Sequence, residues 1–499
     1  MWTNFPAACR EAKNPAAAAL FALSICWQAA LYAPEKKLAE VSSIEADALF
    51  IERCDRLLPG GWRAFFPDGA PLYRGLTVNG LRLNPQRFAG CAPFAVRPSP
   101  FAPGNFYLLD ADARVGLHPY HHAGVYYAQE PSASAPAALL GVRPGDWVLD
   151  LCAAPGGKSA QLAAALAGSG LLVANEFSPK RAPVLLSNLE RMGARNCIVT
   201  NETAERLARA FPAAFDRILV DAPCSGEGMF RKEPAALAQH SQHLIESCAA
   251  LQRELLDTVA AALRPGGTLV YSTCTFSPEE DEGTVAVFLR RHPEFALEQI
   301  DADFGCAGHE ACCAQGPVDT GRLRCVYPVH GGEGQFMARF CKAGEAPRAA
   351  VRGSLCAGAA PREARDFLAE CFPALADAPL ARQGDRLLLL PQPELPLPPG
   401  LRVLRAGVLA GELAAGGRTA RFEPHHHLYM AWGADAPRRL SLSPDEERCA
   451  AWLRGEEIAA LGMENGFAAV TVDGFPLGFG KVSGGRLKNH YPKGLRNLK

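Results

Sequence analysis

The sequence predicts a multidomain α/β protein built around one doubly wound, mostly parallel sheet, and three observations carry that reading. Between about residues 131 and 342, short apolar runs alternate with helical patterns, the rhythm a parallel sheet requires because each strand is followed by a crossover helix. The chain has 499 residues, too many for one hydrophobic core and enough for three or so units at roughly 100–200 residues each. Hydrophobic residues make up 48% and charged residues 21%, the proportions of ordinary globular domains, which excludes disorder on a large scale.

The elements follow in order. Residues 1–44 form an extension with no assigned role, in which AAAALFALSICWQAALYA (16–33) follows Arg10 and Lys13 like an export signal. Ser24 and Gln28 interrupt it and Pro15 and Pro34 bound it, so a docking helix or simple extension is favoured over export or a membrane span. Residues 45–130 read as a small, separate α+β lobe: a helix in ALFIERCDRLL, then strand-like alternation in PLYRGLTVNGLRLNPQRF. From residue 131 to 342 the pairs are DWVLDL with SAQLAAALA, LLVANE with RAPVLLSNLERMG, RILVDAP with LIESCAALQRELLDTVAAAL, and TLVYSTC with DEGTVAVFLRRH. Ligands of such a sheet bind at the carboxyl ends of its strands. Residues 343–420 form a weakly patterned intermediate domain whose PELPLPP run reads as a linker or stiff turn, and 421–499 a compact β-rich module.

Composition narrows the chemistry. Net charge is −1 with a pI near 6.9, so there is no chain-wide footprint for nucleic acid and any such contact is local. Seventeen cysteines, without CxxC pairs, fit reduced thiols of a cytoplasmic protein. Cys306, Cys312, Cys313 and Cys325 match no zinc spacing, and three adjacent histidines, His425 to His427, would point to alternate faces of a strand, so no metal is expected.

Three segments carry function. Asp150-Leu151-Cys152-Ala153-Ala154-Pro155-Gly156-Gly157-Lys158 follows a strand and opens a helix, where glycines let the backbone approach a ligand. The GxGxxG spacing of dinucleotide sites is absent, while Glu176 ends the next strand where a carboxylate clamps ribose hydroxyls, which favours S-adenosylmethionine. Asp221-Ala222-Pro223-Cys224 and Tyr271-Ser272-Thr273-Cys274 then end two further strands, bringing two thiols to the ligand edge. A thiolate is wanted wherever cytosine is methylated at carbon 5: adding to carbon 6, it makes carbon 5 nucleophilic enough to attack a sulfonium methyl. A base then removes the carbon 5 proton. Asp221 suits the exocyclic amine or ring nitrogen of the base, and Lys158 its carbonyl.

DLCAAPGGK, ANEF, DAPCSGEG and LRPGGTLVYSTC, in that order and spacing, closely resemble the Nop/Sun RNA cytosine-5 methyltransferases, the RsmB/RsmF group. The resemblance runs from about Ala46 to the carboxyl terminus, through GLTVNGLRLNP, YYAQEPSAS and YPVHGGEGQFMARF. It implies a Rossmann-like class I methyltransferase core, an amino-terminal RNA-binding lobe and a PUA-like RNA-binding domain. It also implies that Cys274 attacks carbon 6, that Cys224 assists product release, and that the methyl donor is held by Cys152, Ala153, Ala154, Pro155, Gly156, Gly157, Lys158, Glu176 and Asp221. The residues alone do not order the two thiols, and DNA cytosine methyltransferases use the other one. Val199-Thr200-Asn201-Glu202-Thr203 departs from the family pattern, which places an aspartate near the adenine, leaving Asn201 or Glu202 as substitutes.

Lys481, Arg486, Lys488, Lys493 and Arg496, without an acidic residue among them and interleaved with Phe479 and Tyr491, have the composition of an RNA-binding face. The expectation is a monomeric cytoplasmic enzyme, not attached to membrane, acting on 16S rRNA or the small ribosomal subunit. A transfer RNA substrate, or a non-catalytic ribosome-assembly factor on the same scaffold, are the alternatives.

Overall fold

The structure is a computed structural model that describes residues 48–414 and 421–497; the segment read as a docking helix lies outside the described residues. The amino-terminal lobe opens with helix α1 (Ala48–Leu57), whose Phe50 and Cys54, one turn apart, are buried. An antiparallel sheet follows, made of β1 (Gly75–Val78), β2 (Val96–Pro98), β3 (Asn105–Leu108) and β4 (Tyr126–Ala128) in the order β2-β3-β1-β4. The alternation read from Pro71 to Phe88 yields a strand only over β1. Asn84 instead caps a helical turn, Pro85–Phe88, its side chain accepting from the Gln86 amide at 2.9 Å, and Pro85 has no N–H to give a ladder.

The core begins with β5 (Trp147–Asp150), α2 (Gly157–Leu166), β6 (Leu171–Asn175), α3 (Ala182–Met192) and β7 (Cys197–Thr200). It continues through α4 (Ala204–Ala210), β8 (Phe215–Asp221), α5 (Gln242–Val259), β9 (Leu263–Thr273) and α6 (Glu282–Arg291) to β10 (Phe295–Leu297), β11 (Arg324–Val326) and β12 (Gln335–Lys342). The sheet has nine strands in the order β10-β12-β9-β8-β5-β6-β7 with Val403–Ala406 beyond β7 and β11 on β12. β9, β8, β5, β6 and β7 are parallel, whereas β10 and β12 run antiparallel to their partners. Helices cover both faces, so β6 and β7 are buried along their whole length and read as continuous apolar runs. The chain moves outward from β5 to β7, then returns to β8 on the other side of β5. That reversal opens a crevice at the strands' carboxyl ends.

Beyond the core, the structure departs from the sequence reading in four places. PELPLPP contains a short strand, Glu394–Pro396, paired with Ser354–Cys356; its proline sits at the last position, where a missing N–H is tolerated. The boundary expected between residues 420 and 421 cuts a sheet, because Arg421–Pro424 pairs with Val408–Ala414. His426 and His427 lie in a helix, His426–Trp432, not in a strand, and His425 caps it by accepting from the His427 amide at 3.1 Å. The amino-terminal lobe is not separate: Leu76, Phe88 and Tyr126 share one core with Trp452, Val470 and Leu477 of the last module, and the Tyr120 hydroxyl donates to Asp473 at 2.7 Å. Among the described residues no helix is long and apolar enough to cross a membrane.

Helix α1 is tied to the core by an ion pair between Arg53 and Glu227 at 2.5 Å, both side chains almost fully buried. Removing one partner leaves the other charge buried, which costs about 3–5 kcal/mol. Arg53→Met is therefore expected to lower the calorimetric unfolding midpoint of the core by several degrees; an unchanged midpoint would contradict a structural role for the pair.

Candidate active site

A cavity of about 300 Å³ opens at the carboxyl ends of β5, β6, β8 and β9. One wall is the Cys152–Lys158 turn. Gly156 has a φ of 117° and an added Cβ would press on Leu185 at 3.3 Å, while a Cβ at Gly157 would meet the Tyr127 ring at 3.1 Å, so α2 starts close against its surroundings only with glycine at both positions. Asp150 ends β5 fully buried, Oδ2 accepting from the Ser159 hydroxyl at 2.6 Å, and burial pushes its carboxyl up to about 7. Among the described residues its Oδ1 has no hydrogen-bond partner. Glu176, just past β6, accepts from the Ser178 amide at 2.8 Å and lies 3.4 Å from the Arg181 guanidinium. Burial pushes its carboxyl up in spite of that guanidinium.

The thiol-bearing end of the cavity is set by strand register. β8 and β9 are parallel with Asp221 opposite Ser272, so the residues that follow both strands emerge together. Cys224 Sγ and Cys274 Sγ are 3.2 Å apart, and the Cys274 amide donates to Cys224 Sγ at 3.3 Å. Cys224 is buried; the adjoining Cys274 sulfur, with burial, pushes its thiol well up. Lys158 Nζ donates to Asp221 Oδ2 at 2.8 Å. Burial opposes the ammonium, but Asp221 holds Lys158 above the ordinary lysine value, with the Cys274 sulfur adding to it.

Buried carboxyls brace both thiol loops from behind. Glu280 accepts from the Ser225 amide at 2.9 Å, the Ser225 hydroxyl at 2.5 Å and Gln252 at 3.0 Å. Glu227 accepts from the Phe276 amide at 3.0 Å, and Asp281 from the Thr273 hydroxyl at 2.6 Å. The Ser225 and Thr275 hydroxyls, 2.7 Å apart, join the two loops. Gly228 donates to the Cys274 carbonyl at 2.9 Å.

Of the residues singled out in the sequence, Cys152, Ala153, Ala154, Pro155, Gly157, Lys158, Glu176, Asp221, Cys224 and Cys274 all line this cavity. Asn201 and Glu202 do not. Asn201 donates to the Glu176 and Phe177 carbonyls, and Glu202 accepts from the Arg402 amide and pairs with Arg206, so both brace the end of β6. Tyr127, Gln129, Phe177, Arg181 and Gln335 also line it and were missed; YYAQEPSAS and GEGQF were the segments that held three of them.

The basic face is only partly as expected. Lys481 and Lys488 are exposed and directly opposed across paired strands, and Lys493 is exposed. Arg486 pairs with Glu457, and Arg496 is half-buried, donating to the Tyr491 carbonyl at 3.5 Å. Phe479 and Tyr491 are core residues unavailable for stacking on bases: Phe479 stacks on Tyr429 at 4.4 Å, and the Tyr491 hydroxyl lies 3.0 Å from His122 Nδ1.

A reversed strand, β12, inserted beside β9, a glycine turn after the first core strand and an acidic residue after the second define a Rossmann-like methyltransferase that uses S-adenosylmethionine. Asp150 Oδ1, without a hydrogen-bond partner among the described residues, and the Glu176 carboxylate are acceptors suited to the ammonium and hydroxyl groups of that donor. The chain belongs to the RsmB/F family. The family described as 16S rRNA methyltransferase RsmB/F matches residues 137–341, the N-terminal domain of 16S rRNA methyltransferase RsmF 47–131, the RsmF first C-terminal domain 366–432 and the RsmF PUA domain 439–497. Ribosomal RNA small subunit methyltransferase F of Klebsiella pneumoniae is 34% identical over 93% of this chain and 97% of its own. That of Cronobacter sakazakii is 34% identical over 85% and 90%. Among solved structures, a methyltransferase homolog from Pyrococcus horikoshii is similar over 60% of this chain and 96% of its own, with 30% identity and a TM-score of 0.53.

Burial pushes Glu280 up to about 7, against about 4.3 for an unfolded chain. The folded state thus holds its proton longer, and this carboxyl's contribution to stability is full below pH 4 and is lost as pH rises through about 7. Glu280→Gln cannot ionise, so its melting temperature relative to wild type is expected to climb between pH 5 and 7.5. A difference independent of pH would show that Glu280 titrates normally.

Proposed function

We propose that this protein methylates carbon 5 of a cytosine in small-subunit ribosomal RNA, with Cys274 as nucleophile. The observation that carries the reading is the pair of sulfurs 3.2 Å apart, at the same cavity edge as the Lys158–Asp221 pair. Cys224 is buried whereas Cys274 is only partly so, which leaves Cys274 the sulfur that a base in the cavity can reach and Cys224 the neighbour behind it. The Cys274 sulfur bonds to carbon 6, and the electron density that leaves the 5,6 double bond is stabilised at the base's polar edge by Lys158 on its carbonyl and by Asp221 on its amine or protonated ring nitrogen. S-adenosylmethionine, held by the Cys152–Lys158 turn, Glu176 and Asp221, supplies an electrophilic methyl group to carbon 5. Loss of the carbon 5 proton to a base then expels the Cys274 sulfur and restores the ring, with Cys224 assisting release.

A cytosine in folded RNA reaches Cys274 only when swung out of its stack. The amino-terminal lobe and the exposed Lys481, Lys488 and Lys493 hold the flanking RNA in this reading, which the exposure of the three ammonium groups supports. Two lysines opposed across a pair of strands repel each other, a cost offset when a phosphate lies between them. The full-length relatives carry the name of a small-subunit ribosomal RNA methyltransferase, which supports that substrate; the enzyme acts as a cytoplasmic monomer.

Bisulfite mapping of RNA from a deletion strain is expected to lose one or a few small-subunit cytosine marks, restored by wild type but not by Cys274→Ser, with activity down at least about a thousandfold. Full restoration by the serine variant would remove Cys274 from the chemistry. Cys224→Ala is expected to accumulate protein covalently tethered to RNA, seen as a slow band on a denaturing gel; a free, fully active variant would contradict its role. Lys481→Glu with Lys488→Glu should weaken RNA binding and flatten its salt dependence by about two units of log–log slope. An unchanged slope would place the RNA elsewhere.

A further inference from the structure

Gln335 opens β12, directly before Phe336, which pairs with Thr273 of β9. It is 2% exposed and lines the cavity together with Lys158, Asp221 and Cys274. Its side-chain Nε2 donates to Asp221 Oδ1 at 3.3 Å; the same oxygen accepts from the Ser272 hydroxyl at 2.7 Å, and Lys158 occupies Oδ2. The amide oxygen of Gln335 takes no hydrogen bond among the described residues and is not sealed away from the cavity.

An amide offers a donor on one side and an acceptor on the other, and an unconstrained glutamine presents either by turning half a revolution. Turned, Gln335 would set its carbonyl oxygen against the Asp221 carboxylate, two acceptors with no proton between them. Asp221 therefore fixes the polarity of the amide, and its acceptor side is the one left for a ligand. We propose that Gln335 discriminates cytosine from uracil, its fixed carbonyl oxygen accepting from the exocyclic amine of the incoming base. Uracil carries a carbonyl oxygen at that position and meets an acceptor. The flexible Lys158 ammonium would serve either base; the anchored amide serves one. This inference rests on the reading that a cytosine is attacked by Cys274.

The test compares formation of gel-stable adduct on otherwise identical RNAs carrying 5-fluorocytidine or 5-fluorouridine at the target position, with S-adenosylmethionine present. Wild type should prefer 5-fluorocytidine strongly. Gln335→Leu, or the unbranched Gln335→Met if leucine disturbs packing, should react about 10- to 100-fold more slowly with the cytosine analogue while its rate with the uracil analogue holds or rises. Calorimetric affinity for S-adenosylmethionine should stay at the wild-type level in the variant scored. Equal falls with both analogues, or unchanged preference, would overturn the role of Gln335. Failure of wild type itself to form adduct with 5-fluorocytidine RNA would instead sink the underlying reading of the site.

Discussion

The arrangement depends on two sulfur atoms held 3.2 Å apart, and most of the core's unusual chemistry exists to keep them there. Parallel pairing of β8 with β9 sets the approach of the two loops. Both loops leave the sheet and lose ladder hydrogen bonds, so their amides need other acceptors. Glu280 and Glu227 supply these for Ser225 and Phe276. Carboxyls buried so deeply carry a desolvation cost, visible in the upward shifts of Glu280, Asp281 and Glu282. Glu227 is the exception: burial works against its charge too, but Arg53 and His240 hold it below the ordinary glutamate value. Through Arg53 the amino-terminal helix thus reaches the back of the reactive loop.

The mouth of the cavity is assembled from distant pieces of chain. Glu333, almost fully buried beside Gly334, accepts from the Tyr73 amide at 2.7 Å, and its own amide donates to Glu130 at 3.0 Å. The lobe that precedes the core and the strand that completes it therefore meet at the cavity rim. The same lobe continues into the carboxyl-terminal module through a shared apolar core, so the outer domains are linked to the site by packing as well as by sequence.

The central fold was legible because its signals are local. Each core strand is a short apolar run and each helix follows it in sequence, so periodicity and turn residues locate them without knowledge of the tertiary structure. The Cys152–Lys158 turn and both thiols are legible as cavity-lining residues for the same reason: they sit at strand ends, a position the sequence marks. What escaped depends on contacts between remote residues. Gln335 follows a turn and becomes meaningful only because β12 inserts beside β9. The basic neighbours of Phe479 and Tyr491 suggest stacking platforms, but both rings are buried in the core while Lys481 and Lys488 stay exposed, a distinction that tertiary packing makes and local pattern does not. The boundary near residue 420 fails because Arg421–Pro424 pairs with Val408–Ala414, a pairing no local pattern announces.

The proposed chemistry requires Cys274 to be the sulfur that bonds to the pyrimidine. Enzyme incubated with 5-fluorocytidine RNA and S-adenosylmethionine, then digested and analysed by mass spectrometry, should carry the nucleotide on the peptide containing Cys274. An adduct on Cys224, or none despite turnover on unmodified RNA, would contradict it.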